Sequence, residues 1–397
     1  MISVRDAQEQ ILARATTPLA PELVLLAVAL GRVLAADMQA PFDVPPRDNS
    51  AVDGYAIASA DIPATGARLL QIAADLPAGA VLGAALREGE AVKIMTGAPI
   101  PAGADTVVPI EDVHLEGGSV RIGVAGKGQN VRLRGEDVQE GRLVLEAGRS
   151  LRPSDLGLIA SLGIPQVLVH RKPRVAVLST GDEVVEPGHP RRPGQIYDSN
   201  RYLLRGAIEQ CGAIPLDLGI VADDRAALEA RLGEASAAAD VVITSGGVSV
   251  GDYDFVKTVL QSIGGIAFWQ VAMQPGRPVA AGTIGSAHFV GLPGNPVAST
   301  LGFALFVRPL LLKLGGRREI FPGGFHARAI EPMRKKTGRR EYKRGIVSYR
   351  DGAWEVRTTG PQGSGILTSL VAANCLIVID EARGDVEPGE TVWVELI

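Results

Sequence analysis

The sequence predicts a multidomain α/β protein whose central domain is a mostly parallel, three-layer α/β fold. Between residues 173 and 315, apolar strand-like runs alternate with helical patterns, which is typical of a parallel sheet covered by helices on both faces. On both sides of this region the pattern changes, and short β-type runs are separated by glycine and proline turns. A chain of 397 residues is also too long for one compact unit, so we expect additional domains.

The N-terminal part of the chain predicts a helical or mixed domain that carries an insertion. Apolar spacing over residues 3–38 indicates two helices joined by a short turn at Pro18 and Pro21, and helical character returns near 156–162. We therefore predict a discontinuous N-terminal domain formed by residues 1–47 and 138–172. The inserted β-rich domain spans 48–137 and contains five short β-type runs, at 54–57, 69–72, 91–94, 106–110 and 119–122.

The central domain, 173–315, and the C-terminal domain, 316–397, follow in that order. Predicted central strands lie at 175–178, 215–221, 241–244 and 288–291, and predicted helices lie at 199–211, 225–238, 254–263 and 297–314. The remaining residues return to short apolar runs, at 345–349, 354–356, 376–379 and 392–396. These runs predict a small C-terminal β domain.

The composition excludes several classes of protein. A net charge of −4, with charges of both signs mixed along the chain, argues against nucleic-acid binding. The exception is the basic run from Arg334 to Arg344, which we interpret as a solvated loop or, alternatively, as a contact with the anionic part of a substrate. Cys211 and Cys375 are too few for a disulfide framework, and we find neither a leader segment nor an apolar run long enough for a membrane span. We expect a cytoplasmic protein with no membrane partner.

Glycine-rich and acidic segments follow the predicted central strands. The first strand is followed by 179–183 (STGDE), the second by Asp223 and Asp224, the third by 245–254 (SGGVSVGDYD) and a later one by 291–296 (GLPGNP). Because ligands of open parallel sheets bind outside the carboxyl ends of the strands, these segments should converge on one edge. Glycines let a ligand approach the main chain, a helix N-terminus favours an anion, and the carboxylates could hold Mg²⁺. The pattern indicates a phosphate-bearing ligand with Mg²⁺.

Other interpretations of these segments are weaker. Asp223 or Asp224 could simply cap the following helix, although capping alone requires neither glycines nor hydroxyls on the same rim. A nucleotide-binding GxxxxGK[ST] loop and a GxGxxG turn are absent from the sequence. The five histidines lie outside the glycine-rich and acidic loops and lack the spacing of metal ligands. In the inserted domain, Asp53, which precedes Gly54, and the loops 94–99 and 132–137 also bring together acid, hydroxyl and arginine groups.

Eight motifs together resemble the MoeA family of molybdopterin molybdenumtransferases, to which the catalytic region of gephyrin is also similar. They occur in family order over nearly the whole chain: DNSAVDGYA at 48–56, IMTGAP at 94–99, RGED at 134–137, STGDE at 179–183, IYDSN at 196–200, TSGGVSVG at 244–251, GLPGNP at 291–296 and GS at 363–364. The resemblance implies an elongated, four-domain homodimer with a shared active site. It also implies that molybdate is placed on adenylylated molybdopterin with Mg²⁺-dependent release of AMP. Molybdopterin adenylyltransferase and apo-molybdoenzymes are the partners that it suggests.

The resemblance also assigns roles to residues at matching positions. Glu183, Asp223 and Asp254 would be the acids at the metal and the phosphates. Asp53, Thr96 and Asp137 would act from the inserted domain of the opposing chain. The remaining assigned residues would cradle the ligand or shape its pocket, namely Ser245, Gly246, Gly247, Ser249, Arg277, Pro293, Gly294, Asn295, Pro296 and Ser364.

The chain departs from the family pattern in one stretch. Where many members carry lysines, it has Gln270 and Gln274, which keep hydrogen-bonding capacity but lose the positive charge. Arg277 supplies one cation nearby. Two other functions stay open: a scaffold that binds the pterin without turnover, and an enzyme that performs the preceding adenylylation.

Overall fold

The chain folds into two compact units in a computed structural model that describes residues 1–247, 259–260 and 265–397. The larger unit consists of residues 1–35, 148–152 and 166–397, and the smaller unit consists of 36–147 and 153–165. Each unit is therefore built from segments that are distant in sequence.

A six-stranded sheet forms the centre of the larger unit. Its strands are β1 (Arg174–Thr180), β2 (Ile214–Val221), β3 (Val241–Ser245), β4 (Ala267–Gln270), β5 (Pro278–Ile284) and β6 (Ala287–Leu292), in the spatial order β2-β1-β3-β6-β5-β4. Strands β2, β1, β3 and β6 run parallel, so the predicted mostly parallel sheet is confirmed. Strands β5 and β6 pair antiparallel across a tight turn at Gly285 and Ser286. We did not predict β4 and β5 from the sequence.

Helices cover both faces of this sheet. They are α1 (Asn200–Gln210), α2 (Arg225–Ala238), α3 (Pro296–Gly302) and α4 (Arg308–Leu314), with a π-helical turn at Phe303–Val307 between the last two. Alternate residues of β1 enter different cores: Val175 and Val177 pack with the α1 side, whereas Ala176 and Leu178 pack with the α2 side. This alternation produces the three layers. The helix predicted for 254–263 falls largely outside the described residues.

Pro296–Leu314 is long and apolar enough to cross a membrane by length and composition alone. In the fold, 78% of that window is buried. Such burial is what a core helix shows.

The prediction of two N-terminal helices is wrong. Only Val4–Ala13 is helical, with Ser3 and Asp6 forming a capping box, and Pro21–Leu25 is a strand paired with Gln166–His170. Prolines at 18 and 21 oppose a continuous helix, and pairing with a strand some 145 residues away fixes an extended conformation, which a local apolar pattern does not reveal. Other short elements of the chain are a helix at Pro153–Ser161, 3₁₀ turns at Leu26–Val28, Ser59–Asp61 and Ile110–Asp112, and strand pairs Met38–Gln39 with Leu143–Leu145, Asn49–Ser50 with Val131–Arg132, and Val184–Val185 with Ile196–Tyr197.

Two further six-stranded sheets occur, one in each unit. In the smaller unit the strands, in spatial order, are Thr106–Pro109, Gly54–Ile57, Glu90–Ile94, Arg68–Leu76, Ser119–Ile122 and Val113–Glu116. In the larger unit, the C-terminal sheet consists of Met273–Gln274, Arg340–Arg350, Ala353–Thr358, Gly324–Ala329, Thr391–Leu396 and Cys375–Ile379, and Arg340–Arg350 also pairs with Cys375–Ile379, which closes the sheet. A short helix, Leu367–Ala372, precedes the strand Cys375–Ile379 along the chain. Because Met273–Gln274 pairs with Arg340–Glu341, the loop between β4 and β5 is joined to the C-terminal sheet.

Candidate active site

The carboxyl edge of the central sheet brings the predicted loops together. Strands β2, β1, β3 and β6 are neighbours in this order, so the segments after Val221, Thr180, Ser245 and Leu292 emerge side by side. Of the predicted residues, Ser249 and Asp254 lie outside the described part of the chain. The others in these four segments can be placed.

Two acidic loops contact each other at this edge. The backbone N–H of Asp223 donates to a carboxylate oxygen of Asp182 at 3.1 Å, which joins the loop after β2 to the loop after β1. Asp224, next along the chain, caps α2 by accepting from the N–H of Ala227 at 2.8 Å. The capping interpretation therefore holds for Asp224, while Asp223 and Glu183 are exposed on adjacent loops.

The carboxylate of Glu183 lies directly over Gly181. A Cβ atom at position 181 would be 2.5 Å from a Glu183 carboxylate oxygen, and the backbone φ there is +129°. Glycine is therefore required for this placement of the carboxylate. The segment that follows is fixed by backbone hydrogen bonds, from Ile196 N–H to the Glu183 carbonyl at 2.8 Å and from Asp198 N–H to the Val185 carbonyl at 2.9 Å.

A buried arginine anchors the same segment. Arg201, in the first turn of α1, donates to Asp198 at 2.9 Å and to Asp217 of β2 at 2.5 Å, and it also pairs with Glu186. Burial alone would lower the pKa of the Arg201 guanidinium, but the hydrogen bonds that it donates to Asp217 and Asp198 outweigh burial and the pKa is raised. The loop that carries Glu183 is thus tied to both α1 and the sheet.

The loops after β3 and β6 pack against each other through glycine. Gly246 donates its N–H to the Leu292 carbonyl at 3.0 Å and has φ +97°. A Cβ atom there would be 3.0 Å from the carbonyl and the hydroxyl oxygen of Thr180, so a side chain would push against β1. This close packing leaves main-chain groups of Gly247 and Gly294 at the rim.

A cavity of about 500 Å³ opens between these loops and the C-terminal sheet. Gly247 and the segment Pro293–Asn295 form one side, and Gln274–Gly276, Arg344 and Gln362–Ser364 form the other. The volume is within the range of small-molecule sites. Ser364 and Gln274 line this cavity, whereas exposed Arg277 is not among its described lining residues.

Arg344 is a functional candidate that sequence reasoning did not single out. It is 1% exposed, and its guanidinium donates to the Ser369 hydroxyl at 2.9 Å and the Gly363 carbonyl at 3.0 Å. Among the described residues no acid lies within ion-pair distance of it, and burial lowers the pKa of its guanidinium although the charge of Glu341 acts in the opposite direction. A buried cation without a close acid on a cavity wall favours an anionic ligand. The basic run that contains Arg344 was the available signal.

The other cations of that run are largely engaged with protein groups. Arg334 pairs with Asp385 at 2.5 Å, and Arg340 pairs with Asp380 at 3.0 Å. Lys343 pairs with Glu341 at 2.6 Å. The interpretation as a solvated loop is thus wrong for buried Lys343 and half-buried Arg340, which lie in a strand, whereas the Arg334 side chain is exposed.

In the smaller unit, Asp53 and Thr96 meet. One carboxylate oxygen of Asp53 accepts from both the N–H and the hydroxyl of Thr96, each at 2.7 Å, and these hydrogen bonds lower the pKa of Asp53. Asp137 is held by a different contact, from its N–H to the Val44 carbonyl at 3.0 Å. All three residues are exposed.

Comparison with known proteins gives matches along the whole chain. Family models match residues 2–163 (MoeA N-terminal region, domains I and II), 176–313 (probable molybdopterin binding domain) and 326–397 (MoeA C-terminal region, domain IV). A molybdopterin molybdenumtransferase of Haemophilus influenzae is 41% identical over 100% of this chain and 98% of its own length, and one of Nostoc is 39% identical over 94% and 88%. A crystal structure of a molybdopterin biosynthesis MoeA protein from Pyrococcus horikoshii has a TM-score of 0.87 at 32% identity and covers 100% of both chains.

Proposed function

Because the chain belongs to the MoeA family, we propose that it is a molybdopterin molybdenumtransferase of molybdenum cofactor biosynthesis, with molybdate and adenylylated molybdopterin as its substrates. The resemblance stated from the motifs is thereby confirmed. The proposal also includes two more specific features: AMP is released in a Mg²⁺-dependent step, and the active site is shared between two chains.

The observation that carries the proposal is the cavity beside the loops after β3 and β6. Its walls present main-chain groups at glycines, the amide side chains of Gln274, Asn295 and Gln362, and the buried guanidinium of Arg344. Among the described lining residues Glu341 is the one carboxylate, and Lys343 neutralises it at 2.6 Å. Neutral donors together with one buried guanidinium that has no acid at ion-pair distance suit the phosphate groups and the polar ring of an adenylylated pterin.

The chain's own residues act mainly by positioning. The Ser245 hydroxyl accepts from Asn200 at 2.7 Å and no base stands next to it in the described part of the chain, so we assign no protein nucleophile. Main-chain N–H groups and Arg344 would hold the phosphate oxygens in a fixed orientation. Preorganised donors of this kind stabilise charge that develops in a transition state without reorganising.

The donor set also fits Mg²⁺. Among the described residues, no group of three or more His, Cys, Asp and Glu side chains could hold a metal ion by itself. Mg²⁺ does not need such a cage, because it is commonly held by one or two carboxylates together with water and substrate phosphates. Glu183 and Asp223 would hold the ion from adjacent loops, with Asp254 in the segment beyond the described residues. Bound there, the ion would offset negative charge on the phosphates as the adenylyl group leaves.

The proposed partner chain would contribute the Asp53–Thr96 pair. An exposed carboxylate whose pKa is lowered by two hydrogen bonds stays ionised and oriented, which suits a residue that faces a metal or a molybdate-loaded ligand. Asp137 would join it. Mixing Asp53→Ala and Glu183→Ala homodimers tests this arrangement: subunit exchange should restore about a quarter of wild-type activity, because half of the dimers are mixed and each has one intact site. If activity is absent after exchange has been verified, the two residues serve the same chain's site.

We place the protein in the cytoplasm, where a molybdopterin adenylyltransferase would supply its substrate and apo-molybdoenzymes would receive its product. This order follows from chemistry, since the adenylyl group must be attached before it can be released.

The deciding experiment follows AMP in a reconstituted reaction. Adenylylated molybdopterin, molybdate and Mg²⁺ should yield AMP and molybdenum cofactor, and EDTA should stop both. Tight pterin binding without AMP would instead indicate a scaffold. Formation of adenylylated product from molybdopterin and ATP would indicate the preceding adenylyltransferase.

A further inference from the structure

We propose that Asn200 is a positioning residue that sets the distance between the loop after β3 and the loop after β6, and thereby the shape of the phosphate cradle. The inference rests on the proposed function, because it assumes that the ligand's phosphates lie on these loops. Neither the motifs nor the family match assigns this role to the asparagine side chain.

The contacts of Asn200 join the two loops directly. Its Nδ2 donates to the Ser245 hydroxyl at 2.7 Å and to the Gly294 carbonyl at 2.7 Å. Because a carbonyl can only accept, the amide nitrogen must face Gly294, which fixes the orientation of the side chain. Asn200 is 8% exposed and begins α1, so it is held by a regular element packed on the sheet.

The cradle depends on the spacing that this amide sets. The two loops meet where the Gly246 N–H donates to the Leu292 carbonyl at 3.0 Å, and a Cβ atom added to Gly294 would be 3.8 Å from the Cα of Gly246. The same loops supply Gly247 and Pro293–Asn295 to the cavity wall. A change in the Asn200 contacts would therefore alter the positions of main-chain donors that face the ligand.

A second asparagine shows what a purely structural clamp looks like. Asn374 in the C-terminal domain accepts from the Val347 N–H at 2.8 Å and donates to the Val347 carbonyl at 2.9 Å, so both ends of its amide are satisfied. In contrast, the buried Oδ1 of Asn200 has no hydrogen-bond partner among the described residues. An unsatisfied buried acceptor costs stability, and a role at a functional site is one of the reasons for which such a group is kept. Asn374 is thus the matched control.

The test compares Asn200→Ala, Asn200→Asp and Asn374→Ala in the full chain. Both Asn200 variants lose the hydrogen bond to the Gly294 carbonyl, which should raise the Kd for adenylylated molybdopterin and the KM in AMP release about tenfold and reduce kcat less. Asn374→Ala also loses two hydrogen bonds, although at an exposed position, and should leave KM unchanged. Asn200→Asp adds a negative charge whereas Asn200→Ala does not. If the Kd rises in both variants and the rise does not depend on salt, the effect comes from the position of the loops rather than from charge.

A double-mutant cycle with Ser245→Ala supplies a second readout. If Asn200 acts through Ser245, the two substitutions should be non-additive in Kd, whereas Asn374→Ala and Ser245→Ala should be additive. A KM and Kd for Asn200→Ala equal to those of Asn374→Ala, in a folded protein, would overturn the inference. If the wild type binds the adenylylated pterin but releases no AMP, the proposed function fails, and the Kd ratios still decide whether Asn200 positions the cradle.

Discussion

Thr96 holds Asp53 through two hydrogen bonds to a single carboxylate oxygen, one from the backbone N–H and one from the hydroxyl, both 2.7 Å long. The two residues lie 43 positions apart in the chain, both within the smaller unit, and both are exposed. The hydroxyl is the part of this contact that can be removed without changing the backbone.

We therefore predict that Thr96→Val raises the pKa of Asp53 toward its ordinary value, because the hydrogen bond to the charged form is lost. AMP release should fall about tenfold at neutral pH, as expected when one hydrogen bond to a charged group is lost. NMR titration of the Asp53 carboxyl carbon and steady-state kinetics measure the two effects. Thr358→Val is the control, since it removes an equivalent hydroxyl contact to Glu331 in the C-terminal domain. Equal activity loss in both variants would contradict a role for the Asp53–Thr96 pair.

Gly181→Ala should displace the Glu183 carboxylate, because the new Cβ atom would lie 2.5 Å from it. We expect the Mg²⁺ concentration for half-maximal AMP release to rise severalfold. Gly188→Ala is the control: its φ is +94°, but a Cβ atom there would have no other atom within 4 Å, so the variant bears only the backbone cost of about 1 kcal/mol. If both variants require the same Mg²⁺ concentration for half-maximal AMP release, the placement of the Glu183 carboxylate does not contribute to Mg²⁺ binding.

Arg344→Met should weaken binding of the adenylylated ligand by at least about tenfold and make the remaining binding less sensitive to salt, because a buried cation on the cavity wall is lost. Arg344→Lys should recover only part of the affinity, since lysine cannot donate to Ser369, Gly363 and a ligand in the same geometry. Isothermal titration calorimetry at two salt concentrations measures the affinity and its salt dependence.

Arg340→Met controls for loss of charge, since Arg340 lies on the same strand but pairs with Asp380. Unchanged affinity in a folded Arg344→Met protein would remove Arg344 from the site.

The Arg201–Asp217 contact predicts a dependence of stability on pH. Burial would raise the pKa of Asp217, but hydrogen bonds from Arg201 and the Gly219 N–H outweigh it, so the pKa is lowered in the folded state. A depressed carboxyl pKa contributes stability that is complete above the unfolded value of about 3.9 and is lost as the pH falls through the folded value. The difference in unfolding free energy between wild type and Asp217→Asn should thus be constant from about pH 7 to pH 5 and shrink below about pH 4. A difference that stays constant to pH 3 would contradict this.

The sequence predicted the edge of the sheet well because that prediction depends on local patterns. Once β1, β3 and β6 are recognised as parallel strands, the loops after Thr180, Ser245 and Leu292 must emerge at one edge. The capping role of Asp224 was likewise one of two alternatives that a local rule supplied.

The opposite wall of the cavity could not be predicted in this way. Arg344 reaches the cavity only because Met273–Gln274 pairs with Arg340–Glu341, a contact between segments more than 60 residues apart. The cation therefore looked like one member of a basic run. The clamp by Asn200 was missed for a related reason: its motif was noted, but its two partners lie 45 and 94 residues further along the chain.

The most direct test of the proposed site is a crystal structure of the protein soaked with AMP and molybdate. We predict ligand density in the cavity between Gly247, Pro293–Asn295 and Arg344, with phosphate or molybdate oxygens within hydrogen-bonding distance of the loop amides or the Arg344 guanidinium. Well-occupied AMP or molybdate bound elsewhere, with this cavity containing only solvent, would contradict it.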